Sequence, residues 1–163
     1  MELVVRPMQA ADVPQACQIL NDIIRIGGTT AFETPMGEGA FANIYLLGED
    51  LICCHVVLDA DGHVAGFQWI GRNPKLPEDC ADIATFTRRD PTVRGAGRAL
   101  CAVTRAAALA KGYAQINATI RADNVPGLGY YTKMGFGDHS VTKAVPLKNG
   151  TPVDRISKRL ALA

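Results

Sequence analysis

Hydrophobic positions along the chain follow two periods, and each period predicts a different kind of element. Between Ala11 and Ile26 apolar residues return at helical spacing, and Gly27 and Gly28 end this pattern. In residues 115–121 apolar and polar side chains alternate, as in a strand with one buried face. The presence of both periods indicates a fold that combines helices with a sheet.

The middle of the chain predicts an antiparallel hairpin after an irregular connection. Apolar runs over residues 51–60 and 63–72 flank Asp61-Gly62, a dipeptide that favours a tight hairpin turn. Before them, segment 29–50 is broken by proline and glycine and then predicts a second short helix. The aromatic residues of this segment suggest the wall of a pocket more than a core element, and they are Phe32, Phe41 and Tyr45.

The second half of the chain predicts strands alternating with helices. In order, it contains a strand over 81–89, a helix over 97–111, the strand over 115–121, a helix from Asn124 through Met134, and strands over 136–144 and 153–160. The buried face of the helix over 97–111 is expected to carry Leu100, Val103, Ala107 and Ala110. With a short strand over 3–6, the predicted order is β-α-α-β-β-β-α-β-α-β-β, an α/β (α+β) arrangement.

Length, composition and charge narrow the classes of protein to which the chain can belong. Its 163 residues suit a single domain over residues 1–163, and a hydrophobic content of 48% argues against disorder. A net charge of +1 provides little electrostatic attraction for nucleic acid. No apolar run reaches the roughly 18 residues that a membrane span needs. The five cysteines form no CxxC pair and the start lacks a signal-like segment, so we expect a cytoplasmic protein.

Residues 91–100, PTVRGAGRAL, here called the glycine loop, lie between a predicted strand and a predicted helix. The P-loop pattern is excluded because no lysine follows the glycines, and the dinucleotide pattern GxGxxG is excluded because Leu100 occupies its third glycine position. What remains is Arg94-x-x-Gly97-x-Ala99 at the start of a helix, where free N–H groups and the helix dipole can bind a pyrophosphate. Arg94 and Arg98 would add charge-assisted contacts. The alternative is a glycine-rich helix cap with two solvated arginines.

A second motif follows about 30 residues later and resembles a known family. Arg94-x-x-Gly97-x-Ala99, followed by Asn124, Tyr131 and Gly135-Phe136, is similar to the GNAT acetyltransferase superfamily, and the element order agrees. The resemblance implies a mixed, mostly antiparallel sheet flanked by helices, and acetyl transfer from acetyl-CoA, as co-substrate, to an amine. It also implies that the backbone of Gly95 to Leu100 holds the pyrophosphate. The implied cofactor-binding residues are Thr87, Arg88, Arg89, Arg94, Gly95, Ala96, Gly97, Arg98, Ala99, Leu100 and Asn124.

The same resemblance implies roles in proton transfer, and the chain departs from the family at one of them. Tyr131 matches the usual general acid, which protonates the departing thiolate of CoA; the alternative for Tyr131 is core packing. The family's usual basic Glu is replaced by Ala84, so we expect Asp82, two residues earlier on the same strand face, to act as the base. Glu78 and Asp79 are the alternatives to Asp82. Arg88 and Arg89 also depart from the family, which commonly has apolar residues at those positions.

Residues 17–34, CQILNDIIRIGGTTAFET, resemble the opening of the phosphinothricin acetyltransferase branch, whose members acetylate small amino-acid analogues. This likeness favours a small amine metabolite as partner. The implied mechanism needs no metal, and charge and hydropathy predict neither a nucleic-acid nor a membrane partner. The alternatives are a protein or peptide N-acetyltransferase and a CoA-binding module without catalysis. A homodimer is expected by analogy with the family.

Overall fold

Strands and helices follow one another along the chain in the predicted order. This computed structural model describes residues 3–162, within which the strands are β1 (Val4–Pro7), β2 (Leu51–Leu58), β3 (Val64–Gly71), β4 (Cys80–Thr87), β5 (Gln115–Arg121), β6 (Gly137–Pro146) and β7 (Pro152–Ala161). The α-helices of the same residues are α1 (Val13–Ile26), α2 (Glu38–Tyr45), α3 (Ala96–Ala110) and α4 (Val125–Lys133). A 3₁₀ turn over Ala10–Asp12 leads into α1.

The strands form one sheet in the order β1-β2-β3-β4-β5-β7-β6. Neighbouring strands are antiparallel except β4 and β5, which run parallel. The α/β (α+β) class and the mixed, mostly antiparallel sheet are therefore confirmed. The hairpin turn at Asp61-Gly62 is also confirmed, because β2 and β3 pair on either side of it. Within residues 3–162 no helix is both long enough and apolar enough to span a bilayer.

The parallel strands β4 and β5 pair over only a short length, which leaves an opening in the sheet between them. The two strands pair over only three residues each, ending with Asp82 opposite Asn117. Beyond that pair, the last residues of β4 remain bonded to β3, while the last residues of β5 remain bonded to β7. The sheet therefore opens between β4 and β5, and the opening widens towards the carboxyl ends of both strands.

Helices α1 and α2 cover one face of the sheet over an aromatic cluster. Phe41 and Tyr45 of α2 are 0% and 2% exposed, and the ring centroids of both lie near Phe67 of β3, at 5.3 Å and 5.2 Å. The prediction that Phe41 and Tyr45 line a pocket is therefore wrong. Both rings pack against the sheet as part of the buried core, and only Phe32 of the predicted trio lines a cavity.

Helix α3 packs on the opposite face, rotated from its predicted orientation. Its buried residues include Leu100, Thr104 and Ala108, whereas Ala110 of the predicted stripe is exposed. Alanines occur on every side of α3, so the hydrophobic pattern alone carries little information about which face meets the sheet.

Candidate active site

A cavity of about 970 Å³ lies in the opening between β4 and β5. Its walls are residues 83–87 of β4, the glycine loop with the first turn of α3, residues 119–121 of β5, one face of α4, and residues 29–32 after α1. A cavity of this size, formed where parallel strands separate, is a common location for a ligand in sheets of this kind.

The glycine loop presents free backbone donors to this cavity. Gly95 has φ of 84° and caps α3, a left-handed conformation that glycine adopts without strain. Among the described residues, the N–H groups of Gly95, Gly97 and Arg98 donate to no protein acceptor, whereas Ala99 N–H bonds Gly95 O at 3.0 Å. All three free donors belong to residues that line the cavity. The start of α3 can therefore accept an anion, as a pyrophosphate requires.

Tyr130 fixes the position of the glycine loop. Its hydroxyl donates to the carbonyl oxygen of Gly97 at 2.7 Å, and its ring lies so close that a Cβ on Gly97 would meet Tyr130 Cε1 at 2.7 Å. Gly97 is therefore required for this close approach. No local sequence pattern indicates this contact, because the two residues lie on different helices.

Tyr131 places its hydroxyl at the wall of the cavity formed by β4. The side chain is 8% exposed, and its hydroxyl lies 2.8 Å from Thr85 Oγ1. Burial raises the pKa of Tyr131 well above its ordinary value of about 10, and the hydrogen bond with Thr85 opposes part of that rise. Tyr131 is therefore a neutral phenol near pH 7, able to donate a proton.

Asp82 lies at the point where β4 and β5 separate. Its two carboxylate oxygens accept hydrogen bonds from Asn117 Nδ2 at 3.0 Å and Asn73 Nδ2 at 3.2 Å. Arg159 Nε donates to Asn117 Oδ1 at 2.7 Å, which fixes the amide in that orientation. The charge of Asp82 also contributes to the raised pKa of Tyr131, so the two side chains are within electrostatic reach. The alternatives Glu78 and Asp79 are exposed.

Asn124 lines the cavity and also has two structural contacts. Its Oδ1 accepts from Gly127 N at 2.9 Å and thus caps α4, which confirms the predicted cap. Its Nδ2 donates to Thr29 O at 2.7 Å and ties the connection after α1 to the start of α4. With both polar atoms committed, Asn124 shapes the wall; a direct contact with the cofactor stays a prediction.

The remaining predicted cofactor residues divide into two groups. Thr87, Arg89, Arg94, Gly95, Ala96, Gly97 and Arg98 line the cavity. Arg88, Ala99 and Leu100 are not part of its lining. The guanidinium of Arg88 bonds Asp59 Oδ2 at 3.0 Å and Pro91 O at 3.0 Å, and Leu100 is buried under the sheet. Cofactor contacts of this second group stay predictions that rest on the resemblance.

Two arginines that sequence reasoning missed face each other across β5 and β7. Arg121 and Arg155 are direct partners in the strand register, and both line the cavity. Arg121 is held by Asp123 through two hydrogen bonds of 3.0 Å and 2.7 Å. Among the described residues, the guanidinium of Arg155 has no hydrogen-bond or ion-pair partner, although its backbone is paired in the sheet. Only the pairing register, which is not readable from sequence, brings the two together.

Comparisons with known proteins identify a family for this chain. The family model described as "Acetyltransferase (GNAT) family" matches residues 20–136. The mycothiol acetyltransferase of Clavibacter michiganensis subsp. michiganensis is 33% identical over 84 residues, which are 51% of this chain and 26% of that protein. The chain thus matches about a quarter of the length of this relative.

Solved structures share the fold over nearly the whole chain. A phosphinothricin acetyltransferase from Sinorhizobium meliloti, in complex with AcCoA, superposes with a TM-score of 0.86 at 23% identity, covering 100% of this chain and 90% of that one. An N-acetyltransferase from Staphylococcus aureus Mu50 gives a TM-score of 0.86 at 20% identity, with 100% of both chains covered. The ribosomal-protein-S18-alanine N-acetyltransferase from Escherichia coli gives 0.74 at 22% identity, covering 99% and 95%.

Proposed function

This chain belongs to the acetyltransferase (GNAT) family, and from that premise we propose that it transfers the acetyl group of acetyl-CoA to the amine of a small amino-acid-like metabolite. The observation that carries the proposal is the neutral phenol of Tyr131 in a cavity that also presents free helix N–H groups. Acetyl-CoA is the co-substrate of this family, so the residues of the cavity must bind it and manage two protons.

The cavity suits the two ends of acetyl-CoA. The free N–H groups at the start of α3, with Arg94 and Arg98 on the same loop, provide donors and positive charge for the pyrophosphate. Residues 83–87 of β4 bond β3 on one side and have no strand partner among the described residues on the cavity side. The amide groups of an extended pantetheine arm can pair with such a free edge as an added strand would.

Proton transfer would use Tyr131 at the wall of the cavity and Asp82 at the point where β4 and β5 separate. The acceptor amine attacks the thioester carbonyl, the tetrahedral intermediate collapses, and the C–S bond breaks with its electron pair on sulfur. Tyr131 gives its proton to that sulfur, since burial keeps the phenol protonated until the basic thiolate forms beside it. Asp82, directly or through water, takes the proton that the attacking nitrogen loses.

Replacing Asp82 with Asn is expected to lower kcat/KM at pH 7 by roughly a hundredfold, the lower end of the contribution of a general base. The loss should shrink by pH 9, because a larger fraction of the acceptor amine is then already deprotonated. A pH profile of initial rates measures this difference. Asp79→Asn, an exposed carboxylate on the preceding loop, is the control and should behave as the wild type. An equal loss at both pH values would exclude Asp82 as the base.

The unpaired guanidinium of Arg155 favours an acceptor that carries a carboxylate or similar anion. Two cations directly opposite on paired strands repel each other, and Asp123 compensates only Arg121. An anionic group on the acceptor would compensate Arg155 and would be held beside the cavity that Asp82 adjoins. This arrangement suits an amino acid better than a simple alkylamine.

Arg155→Leu is expected to raise KM for an amino-acid acceptor by about tenfold to a hundredfold, the contribution of one charged hydrogen bond. The KM for the matching amine without a carboxylate should change less than about threefold, since it lacks the group that Arg155 binds. Steady-state kinetics with the two acceptors measures the split. Arg105→Leu, on the exposed side of α3, removes the same charge as a control. Equal losses with both acceptors would contradict the anion-binding role.

A thiol-release assay against amino acids, decarboxylated amines, polyamines, aminoglycosides and peptides tests the proposed function. We expect the fastest turnover with an amino acid, and mass spectrometry should find the acetyl group on its nitrogen. Fastest turnover with peptides would favour the protein N-acetyltransferase alternative. Tight binding of acetyl-CoA without turnover of any acceptor would favour a CoA-binding module.

Strand β6 is the surface at which we propose that a homodimer forms. It is an edge of the sheet, and most of its residues are exposed on both faces. A long exposed edge strand is a template for pairing with another chain. Light scattering on the purified protein gives the oligomeric state.

The cytoplasmic location also stays a prediction.

A further inference from the structure

A series of hydrogen bonds joins the glycine loop to Tyr131 through three residues that the resemblance does not mention. Tyr130 donates to Gly97 O at 2.7 Å, Gln68 Nε2 donates to Tyr130 Oη at 3.1 Å, and the same Nε2 donates to Thr85 Oγ1 at 2.9 Å. Thr85 Oγ1 lies 2.8 Å from Tyr131 Oη. Gln68 is 1% exposed and stands directly opposite Thr85 across β3 and β4.

The hydrogen bond to Gly97 determines which atom is the donor in each of the next hydrogen bonds. Tyr130 has one hydroxyl proton, which it gives to the carbonyl of Gly97. The atom of Gln68 that meets Tyr130 Oη must therefore be a donor, the amide nitrogen. This orientation leaves Gln68 Oε1 buried without a partner among the described residues, so only the donor end of the amide is used.

The same reasoning applies to the orientation of the Thr85 hydroxyl group. One lone pair of its oxygen accepts the second N–H of Gln68. Apart from the bond with Gln68, the hydrogen bond that the Thr85 hydroxyl makes in the described part of the chain is with Tyr131 Oη, at 2.8 Å. The Thr85 proton enters this hydrogen bond only when Thr85 donates to Tyr131, and the proton of Tyr131 then has no protein acceptor in the described part of the chain. That proton is free to point into the cavity.

We propose that Gln68 and Thr85 are positioning residues that turn the Tyr131 proton towards the leaving sulfur of the thioester and then stabilise the phenolate. The inference rests on the proposed role of Tyr131 as the acid. When the C–S bond breaks, the proton passes from Tyr131 Oη to sulfur, giving the free thiol of CoA. The negative charge left on Tyr131 Oη accepts the hydrogen bond that Thr85 already donates. Solvent returns the proton before the next turnover.

A double-mutant cycle of Thr85 with Tyr131 tests this proposal. Thr85→Val keeps the shape and removes the hydroxyl, so kcat should fall about tenfold, the value of one hydrogen bond, with KM for acetyl-CoA unchanged. In the Tyr131→Phe background the same substitution should change kcat less than about twofold, because no phenolic proton remains to be oriented. Thr85→Ser restores the hydroxyl and should recover kcat to within about threefold of the wild type.

Gln68→Met provides a second route to the same readout, since it keeps the volume and removes the amide. It should lower kcat three- to tenfold in the wild-type background and have little effect beside Tyr131→Phe. Thermal melting identifies any variant that fails to fold. If a Thr85 variant fails, the Gln68 variant is combined with Tyr131→Phe instead, and the reverse applies if the Gln68 variant fails. Equal losses in both tyrosine backgrounds would show a merely structural role and overturn the inference. If Tyr131→Phe itself left kcat unchanged, Tyr131 would not be the acid, and the positioning roles of Gln68 and Thr85 would be excluded with it.

Discussion

Tyr131→Phe is expected to lower kcat by about 10²- to 10³-fold, which is the usual contribution of a general acid. The substitution removes one oxygen from a side chain that is otherwise packed, and its ring still contacts Phe136 at a centroid distance of 5.2 Å. The dissociation constant for acetyl-CoA should therefore change little, because the pyrophosphate donors lie on α3. Thiol release at saturating substrate and calorimetric titration measure the two quantities.

Two further tyrosine variants make this result specific. Tyr113→Phe, at the far end of α3, removes a hydroxyl outside the cavity and should leave kcat and binding unchanged. Tyr130→Phe removes the hydrogen bond to Gly97 and should weaken acetyl-CoA binding more than it lowers kcat. If Tyr130→Phe abolished turnover while Tyr131→Phe did not, the acid would be Tyr130 and not Tyr131.

Gly97→Val is expected to raise the dissociation constant for acetyl-CoA by about a hundredfold or more, and Gly97→Ala by about tenfold. A Cβ at this position meets Tyr130 Cε1 at 2.7 Å, well inside van der Waals contact. Tyr130 cannot move aside freely, since its hydroxyl bonds both Gly97 O and Gln68 Nε2. The first turn of α3 must shift instead, which displaces the free N–H groups that would hold the pyrophosphate.

Gly129→Ala is the matched control, because Gly129 lies in α4 with open space where its Cβ would be. It should leave acetyl-CoA binding unchanged and stabilise the fold slightly, since alanine favours a helix. Calorimetric titration of the three variants, with thermal melting to verify folding, measures both effects. Wild-type affinity in a folded Gly97→Val variant would remove the glycine loop from the binding site.

Local signals predicted the order of elements well. Gly27 ends α1, Asp61-Gly62 forms the hairpin, and Asn124 caps α4, because each depends on backbone geometry that a few neighbouring residues decide. The orientation of α3 was predicted wrongly, because alanine on all sides gives no preferred face. The burial of Phe41 and Tyr45 was missed for a related reason, since an eight-residue helix contains too few turns to define a stripe.

The candidate site was predicted only where its residues are close in sequence. The glycine loop and Tyr131 follow from motifs, but their partners depend on contacts between distant strands. Gln68 meets Thr85 through the register of β3 with β4, and Arg155 meets Arg121 through that of β7 with β5. Such registers are set by packing of the whole sheet, so no local pattern could have indicated either pair.

Calorimetric titration of the wild-type protein with acetyl-CoA tests the central claim most directly, which is that the opening between β4 and β5 binds this co-substrate. We expect one equivalent to bind with a micromolar dissociation constant, and inorganic pyrophosphate to compete for the donors at the start of α3. Absence of heat and of competition across millimolar acetyl-CoA would contradict the account, and the glycine loop would then be only the cap of α3.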